Sequence, residues 1–132
     1  MIRFYQDDER AAAFATSILG YSFAQPYIGM VVDRDGEVVS AIIFNGFIRG
    51  QNIDMTGVGK VWPVFVIRQI ARYCFARVKR VTSRTCVSNH AAIKALEAAG
   101  FKREGVMRDY FPDGDAIVFG LLKSEQRLIK VA

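Results

Sequence analysis

Three groups of residues in this chain are of types that could do chemistry. The first is Asn89 with His90, after the strand-like run Arg80 to Val87 and before the alanine-rich stretch Ala91 to Ala99. The second is Gly57-Val58-Gly59-Lys60, followed by a basic segment that carries Arg68. Glycines ahead of a helix let bare backbone N–H groups approach an anion, and the helix dipole favours its charge. That chemistry suits a phosphate or pyrophosphate. The third group is dispersed: Asp54 is a candidate base, and Tyr110 and His90 are candidate proton donors or acceptors.

Each group also has a plainer reading. Gly57 and Gly59 alone make a glycine turn as readily as a phosphate loop. They do not form a Walker loop, because the spacing to Lys60 is wrong and no Ser or Thr follows. The Asn89 stretch reads equally as a capped core helix. His90 reads as a solvated first-turn residue.

The elements that position these groups follow from periodicity. Ile2 to Tyr5 reads as a first strand. Asp7 then caps a helix whose apolar face is Ala11, Phe14, Ala15 and Ile18 and whose stop is Gly20. The segment 21–27 is a loop with three aromatics, Tyr21, Phe23 and Tyr27. Ile28 to Val32 and Glu37 to Phe47 are strands joined by the tight-turn pair Asp35-Gly36. Alternation makes 51–56 a fourth strand. A basic amphipathic helix follows at roughly 62–78, with Pro63 in its first turn and Val64, Ile67, Ile70, Ala71, Cys74, Phe75 and Val78 on one stripe. The run at 80–87 is the fifth strand. Ser88 or Asn89 caps the third helix; Gly100 and Phe101 end it as a Schellman motif does. Phe101 to Tyr110 and Ala116 to Leu122 are the last strands, around the turn Phe111-Pro112-Asp113-Gly114.

A strand, an Asn, a short alanine-rich helix and Gly-Phe at this spacing resemble the second half of the coenzyme-A site of the GNAT acetyltransferases. The continuation through Arg108, with Asp113-Gly114 and Leu121-Leu122, resembles the branch that acetylates protein N-termini. The resemblance spans 79–125 and extends more loosely over 28–78. It implies an α/β (α+β) fold: a mixed, mostly antiparallel sheet of six to seven strands, helices on both faces, and strands four and five parallel and splayed. It implies acetyl-CoA as co-substrate and an amine acceptor. Asn89 would meet the pantetheine, Gly57, Val58, Gly59 and Lys60 the pyrophosphate, and Arg68 the 3′-phosphate. A backbone N–H near Met55 or Thr56 would polarise the thioester.

The chain departs from the family in two places. Asp54 stands where the family's loop begins with Arg or Gln, so the pyrophosphate loop is not standard. The two positions that relatives use for an acid hydroxyl are Ala92 and Leu96. Tyr110, Tyr73, Ser88 and His90 are the substitutes available.

Composition bounds the rest. With 132 residues, a single domain over 1–132 is expected, and 52% hydrophobic content supplies a core. No apolar run reaches the length of a membrane span, and the acidic start after Tyr5 is no signal peptide. A cytoplasmic protein with two buried thiols, Cys74 and Cys86, is expected. One histidine and no paired cysteine spacing argue against zinc. A charge of +5 favours anionic partners without choosing among them. The leading expectation is an N-acetyltransferase acting on a primary amine, with a protein N-terminus among the candidates. The alternative is a non-catalytic module of the same fold that binds coenzyme A, protein, nucleic acid through Arg68, Arg72, Arg77, Lys79 and Arg80, or a second copy as a homodimer.

Overall fold

The computed structural model describes residues 1–130. Strands β1 (Ile2–Gln6), β2 (Ile28–Arg34), β3 (Glu37–Ile48), β4 (Gly50–Gly59), β5 (Val78–Cys86), β6 (Lys102–Phe111) and β7 (Gly114–Leu122) form one sheet. The helices are α1 (Asp8–Leu19), α2 (Val64–Phe75) and α3 (His90–Ala98). The strand order is β1-β2-β3-β4-β5-β7-β6. Only β4 and β5 run parallel; the other neighbours are antiparallel. The mixed sheet and the parallel β4–β5 pair are as expected, with the full seven strands.

Alternation along β2 and β3 divides the core between the two faces. Met30, Ile42 and Phe44 pack with Ala71, Cys74 and Phe75 of α2 and Ile93 of α3. Val31, Ala41 and Ile43 pack with Ala11 and Ala15 of α1. Helix α1 lies close to the sheet because Gly29 lacks a side chain; a Cβ there would come within 2.6 Å of the Ala11 Cβ. Ile18, expected on the apolar face of α1, is exposed, and Leu19 packs instead. Cys74 is buried and its thiol is pushed up to about 12 by desolvation. Cys86 is only partly buried, against expectation, because it lies at the open end of β5.

Both caps of α3 are as the residue types dictate. The Asn89 side chain accepts from the Ala92 N–H at 3.1 Å. At the other end the Phe101 N–H donates to the Leu96 carbonyl and the Gly100 N–H to that of Glu97, each at 3.0 Å, with Gly100 at φ +99°. That is a Schellman closure.

Asp33 is a charged anchor inside the α1 face, only 2% exposed. Tyr5 Oη donates to its Oδ2 at 2.5 Å and the Gly36 N–H to its Oδ1 at 2.7 Å. These two bonds, with Arg3 and Arg10 each 3.6 Å away, hold its carboxyl below the usual carboxylate range. A depressed carboxylate contributes stability above its unfolded pKa, about 4, and loses it as pH falls through the folded value. Asp33→Asn should therefore cost stability at neutral pH and cost much less near pH 2. Denaturant melts at both pH values check this; an equal penalty at both would assign Asp33 a packing role only.

Candidate functional site

The site is built where β4 and β5 stop pairing. The parallel ladder runs from Gly50↔Val78 to Asp54↔Thr82 and ends there, while β4 continues to Gly59 and β5 to Cys86. Ser83 Oγ donates to the Met55 carbonyl at 2.9 Å, closing the base of the splay. The Met55 carbonyl thus points toward β5. Backbone groups of alternate residues face the same edge of a strand, so Gly57 turns its N–H and C=O into the splay, past the last pair. Thr56 faces β3 instead, opposite Ile43. The open backbone N–H beyond the last pair is thus that of Gly57, and not that of Met55 or Thr56.

The glycine run is not the expected loop. Gly57, Val58 and Gly59 belong to β4, opposite Ile42, Ala41 and Ser40 of β3. Val58 is buried beneath α1. Gly59, at φ +103°, touches β3 so closely that a Cβ would come within 2.6 Å of the Val39 carbonyl. Its glycine serves the strand pairing. Apolar pairing against β3 carries the strand past 56, the end that alternation suggested. The true connection is 60–63, and α2 begins at Val64 with Pro63 as its N-cap. Ser40 Oγ accepts from the Val61 N–H at 3.0 Å and so ties this connection to β3. Trp62 folds back over Gly57, and its indole N–H donates to the Gly59 carbonyl at 3.0 Å.

At the start of α2 the N–H groups of Val66 and Ile67 return to the Pro63 carbonyl. Those of Val64 and Phe65 stand at the open end. Both side chains are apolar and exposed, and Lys60 is the nearby cation in sequence. Arg68 sits further along α2, with Arg72, Arg127, Leu128, Ile129 and Lys130 around an open basic concavity of 560 Å³.

On the α1 side of the splay lies a cavity of 410 Å³ lined by residues of the 21–27 loop, β3, β4, β5 and the β6–β7 hairpin. It brings together Asp54 and Tyr110, two of the three residues expected to move protons, with Met55 and Thr56. Asp54 is held on both oxygens: Asn52 Nδ2 donates to Oδ1 at 2.9 Å, and Arg84 Nη1 to Oδ2 at 3.1 Å. Its carboxylate lies over Gly46, where a Cβ would be 2.5 Å from Oδ2. The Arg84 guanidinium lies 6.0 Å from the Tyr110 ring centre. His90 is not among the lining residues; it is exposed in the first turn of α3. Asn89 is exposed, with its carbonyl oxygen engaged in the helix cap.

One lining group was missed in the sequence: Arg84 read only as a strand residue. The aromatics Tyr21 and Phe23 of the 21–27 loop, which fit packing against the sheet at least as well as substrate contact, line the cavity. Tyr21 faces Phe111 at 6.4 Å between ring centres and Phe23 at 5.7 Å. Burial pushes the Tyr21 hydroxyl up, with Tyr110 and Asp113 adding to the shift. Among the described residues no cluster of His, Cys, Asp or Glu could hold a metal ion, and no helix is long and apolar enough to cross a membrane.

No protein-family model and no curated protein matches the chain. Solved structures do. Mutant forms of the spermidine/spermine N-acetyltransferase SpeG from Vibrio cholerae match with a TM-score of 0.72 at 14% identity, over 94% of this chain and 96% of that one. An acetyltransferase of the GNAT family from Streptococcus pneumoniae matches at 0.69 and 15% identity, over 92% and 99%. RimJ from Mycobacterium smegmatis, in complex with CoA-disulfide, matches at 0.65 and 18% identity, over 75% of this chain and 54% of that one. At these identities the likeness is one of fold: the chain has the GNAT fold.

Proposed function

We propose that this protein is an acetyl-CoA-dependent N-acetyltransferase acting on a primary amine. The observation that carries the reading is the open backbone edge at Gly57 beside a cavity that holds a carboxylate and a phenol. Acetyl-CoA supplies an activated acyl group on a thiolate leaving group. Gly57 presents an N–H to the acyl oxygen, where negative charge develops during attack. Asp54 receives the acceptor's amine and takes its proton. Tyr110 protonates the departing thiolate. Asn89 retains its amide N–H groups for the pantetheine, since only its oxygen is used in the cap. Lys60 and the N–H groups of Val64 and Phe65 meet the pyrophosphate, and Arg68 and Arg72 lend charge to the 3′-phosphate. A protein N-terminus, the acceptor suggested by the sequence, belongs to this class of amine. So does a polyamine, the substrate named for the Vibrio cholerae protein.

One observation favours the rival reading, a non-catalytic binding module in the cytoplasm, monomeric or dimeric. The first turn of α2 shows Val64 and Phe65 to solvent where a phosphate cradle would be polar. Calorimetry separates the two readings. Acetyl-CoA should bind the wild type with one-to-one stoichiometry. Gly57→Asp should weaken that binding at least tenfold, because it adds bulk and like charge at the splay edge. A Cβ at Gly57 would lie 3.5 Å from Trp62, an ordinary contact, so the variant should fold. Gly59 is unsuitable for this test because any side chain there collides with β3. Absence of binding by the wild type would favour the module.

A further inference from the structure

The acceptor cavity contains a charge pattern that selects among amines. Asp54 and Arg84 are the only ionised side chains among its lining residues. They are 3.1 Å apart and only 23% and 29% exposed. The lining is therefore neutral, with its two charges side by side. The rest of its wall is Tyr21, Phe23, Tyr110, Phe111 and Pro112, with small polar groups between. Tyr110 meets Phe111 edge-on at 5.0 Å, continuing the aromatic surface from Tyr21.

A ligand that carries only positive charge fits this pattern poorly. Beside Asp54 it adds a second cation to a carboxylate already paired with Arg84, and nothing else in the lining offsets the added charge. A ligand with an ammonium and a carboxylate on neighbouring atoms leaves no charge alone: the ammonium goes to Asp54 and the carboxylate to Arg84. The guanidinium has capacity for this. One N–H of a terminal NH2 group serves Asp54, which leaves further terminal N–H groups for an acceptor that enters the cavity. A carboxylate meets a guanidinium edge with two parallel bonds.

From these observations we infer that the acceptor is a small zwitterion, a primary amine one carbon from a carboxylate, with an aromatic or bulky apolar body against Tyr21 and Phe111. The inference rests on the acetyltransferase reading for its chemistry, though not for the binding preference. In the transfer, the ammonium first loses one proton through Asp54 to solvent, which frees the nitrogen lone pair. The neutral amine nitrogen bonds the acetyl carbon and the carbon–sulfur bond breaks; its second proton passes to Asp54, Tyr110 gives its proton to the departing thiolate, and the Asp54 proton restores Tyr110. The volume of 410 Å³ suits a free amino acid of this kind.

Equilibrium binding tests the preference without turnover. L-phenylalanine, its methyl ester, phenethylamine, spermidine and a phenylalanine-led peptide would be titrated into the wild type. Free phenylalanine should bind on the order of tenfold or more tighter than the ester, amine or peptide, since each of those lacks the charge that Arg84 receives. Arg84→Gln should abolish the difference, and Arg84→Lys should keep part of it. Spermidine or the peptide binding as tightly as phenylalanine to the wild type would overturn the inference, whatever the variants do. Turnover is assayed apart, as coenzyme A release. Carboxylate-dependent binding without acetyl transfer to any acceptor would support the cavity's preference and contradict the acetyltransferase reading.

Discussion

Asp54→Asn should lower turnover by roughly 10²- to 10⁴-fold, the range that a positioned general base supplies. The substitution keeps the shape that Gly46 accommodates and an oxygen for Asn52. In the proposed mechanism it removes the negative charge that draws the ammonium and the oxygen that takes its proton. The splay edge at Gly57 is untouched, so acetyl-CoA affinity should stay within about twofold. Steady-state rates paired with calorimetry check both parts. Turnover within a few-fold of wild type would show that water or another group deprotonates the amine.

Tyr110→Phe should cost on the order of a hundredfold in turnover with acetyl-CoA binding intact, the lower end of what a general acid supplies. Two other positions are eliminated by their side chains. In α3, at the two positions where the family that the sequence resembles carries a hydroxyl, Ala92 gives its N–H to the Asn89 cap and Leu96 packs against the core. Neither can donate a proton. Tyr110 lines the cavity with Met55 beside the splay. Tyr21 lines it too, and its elevated hydroxyl stays protonated at neutral pH. Tyr21→Phe is thus the control: a loss there without one at Tyr110 would transfer the acid's role to Tyr21. Full activity in both, with His90→Ala also active, would show that the thiolate leaves unassisted.

Most of the fold could be read from the sequence because local chemistry marks it. Asp7, Gly20, Asn89 and Gly100 each sit at the helix boundary that their residue type predicts. Asp35 and Gly36 take the left-handed conformations that the turn needs. The parallel, splayed pair was implied by the resemblance to the GNAT acetyltransferases and by no local signal. Boundaries set by long-range pairing did not follow. Gly57 and Gly59 look like loop residues, and only the register against Ile42 and Ser40 makes them strand.

The site was half legible for the same reason. Asp54 and Tyr110 were singled out by type, yet 56 positions separate them in the chain. Their meeting depends on the order β4-β5-β7-β6. Arg84 carried no signal, because a lone cation in a strand is ordinary until the sheet turns it toward Asp54. Tyr21 and Phe23 follow α1 in a segment without periodicity, so nothing local distinguished a cavity wall from packing.

The proposed acetyl-CoA site is tested most directly by an amide chemical-shift map of the labelled protein during acetyl-CoA titration. Saturable shifts are expected at Met55, Gly57, Val64, Phe65 and Asn89, the two walls of the splay and the start of α2. Saturable binding whose shifts fall only around Arg68, Arg72 and Arg127, with Gly57 unmoved, would contradict it.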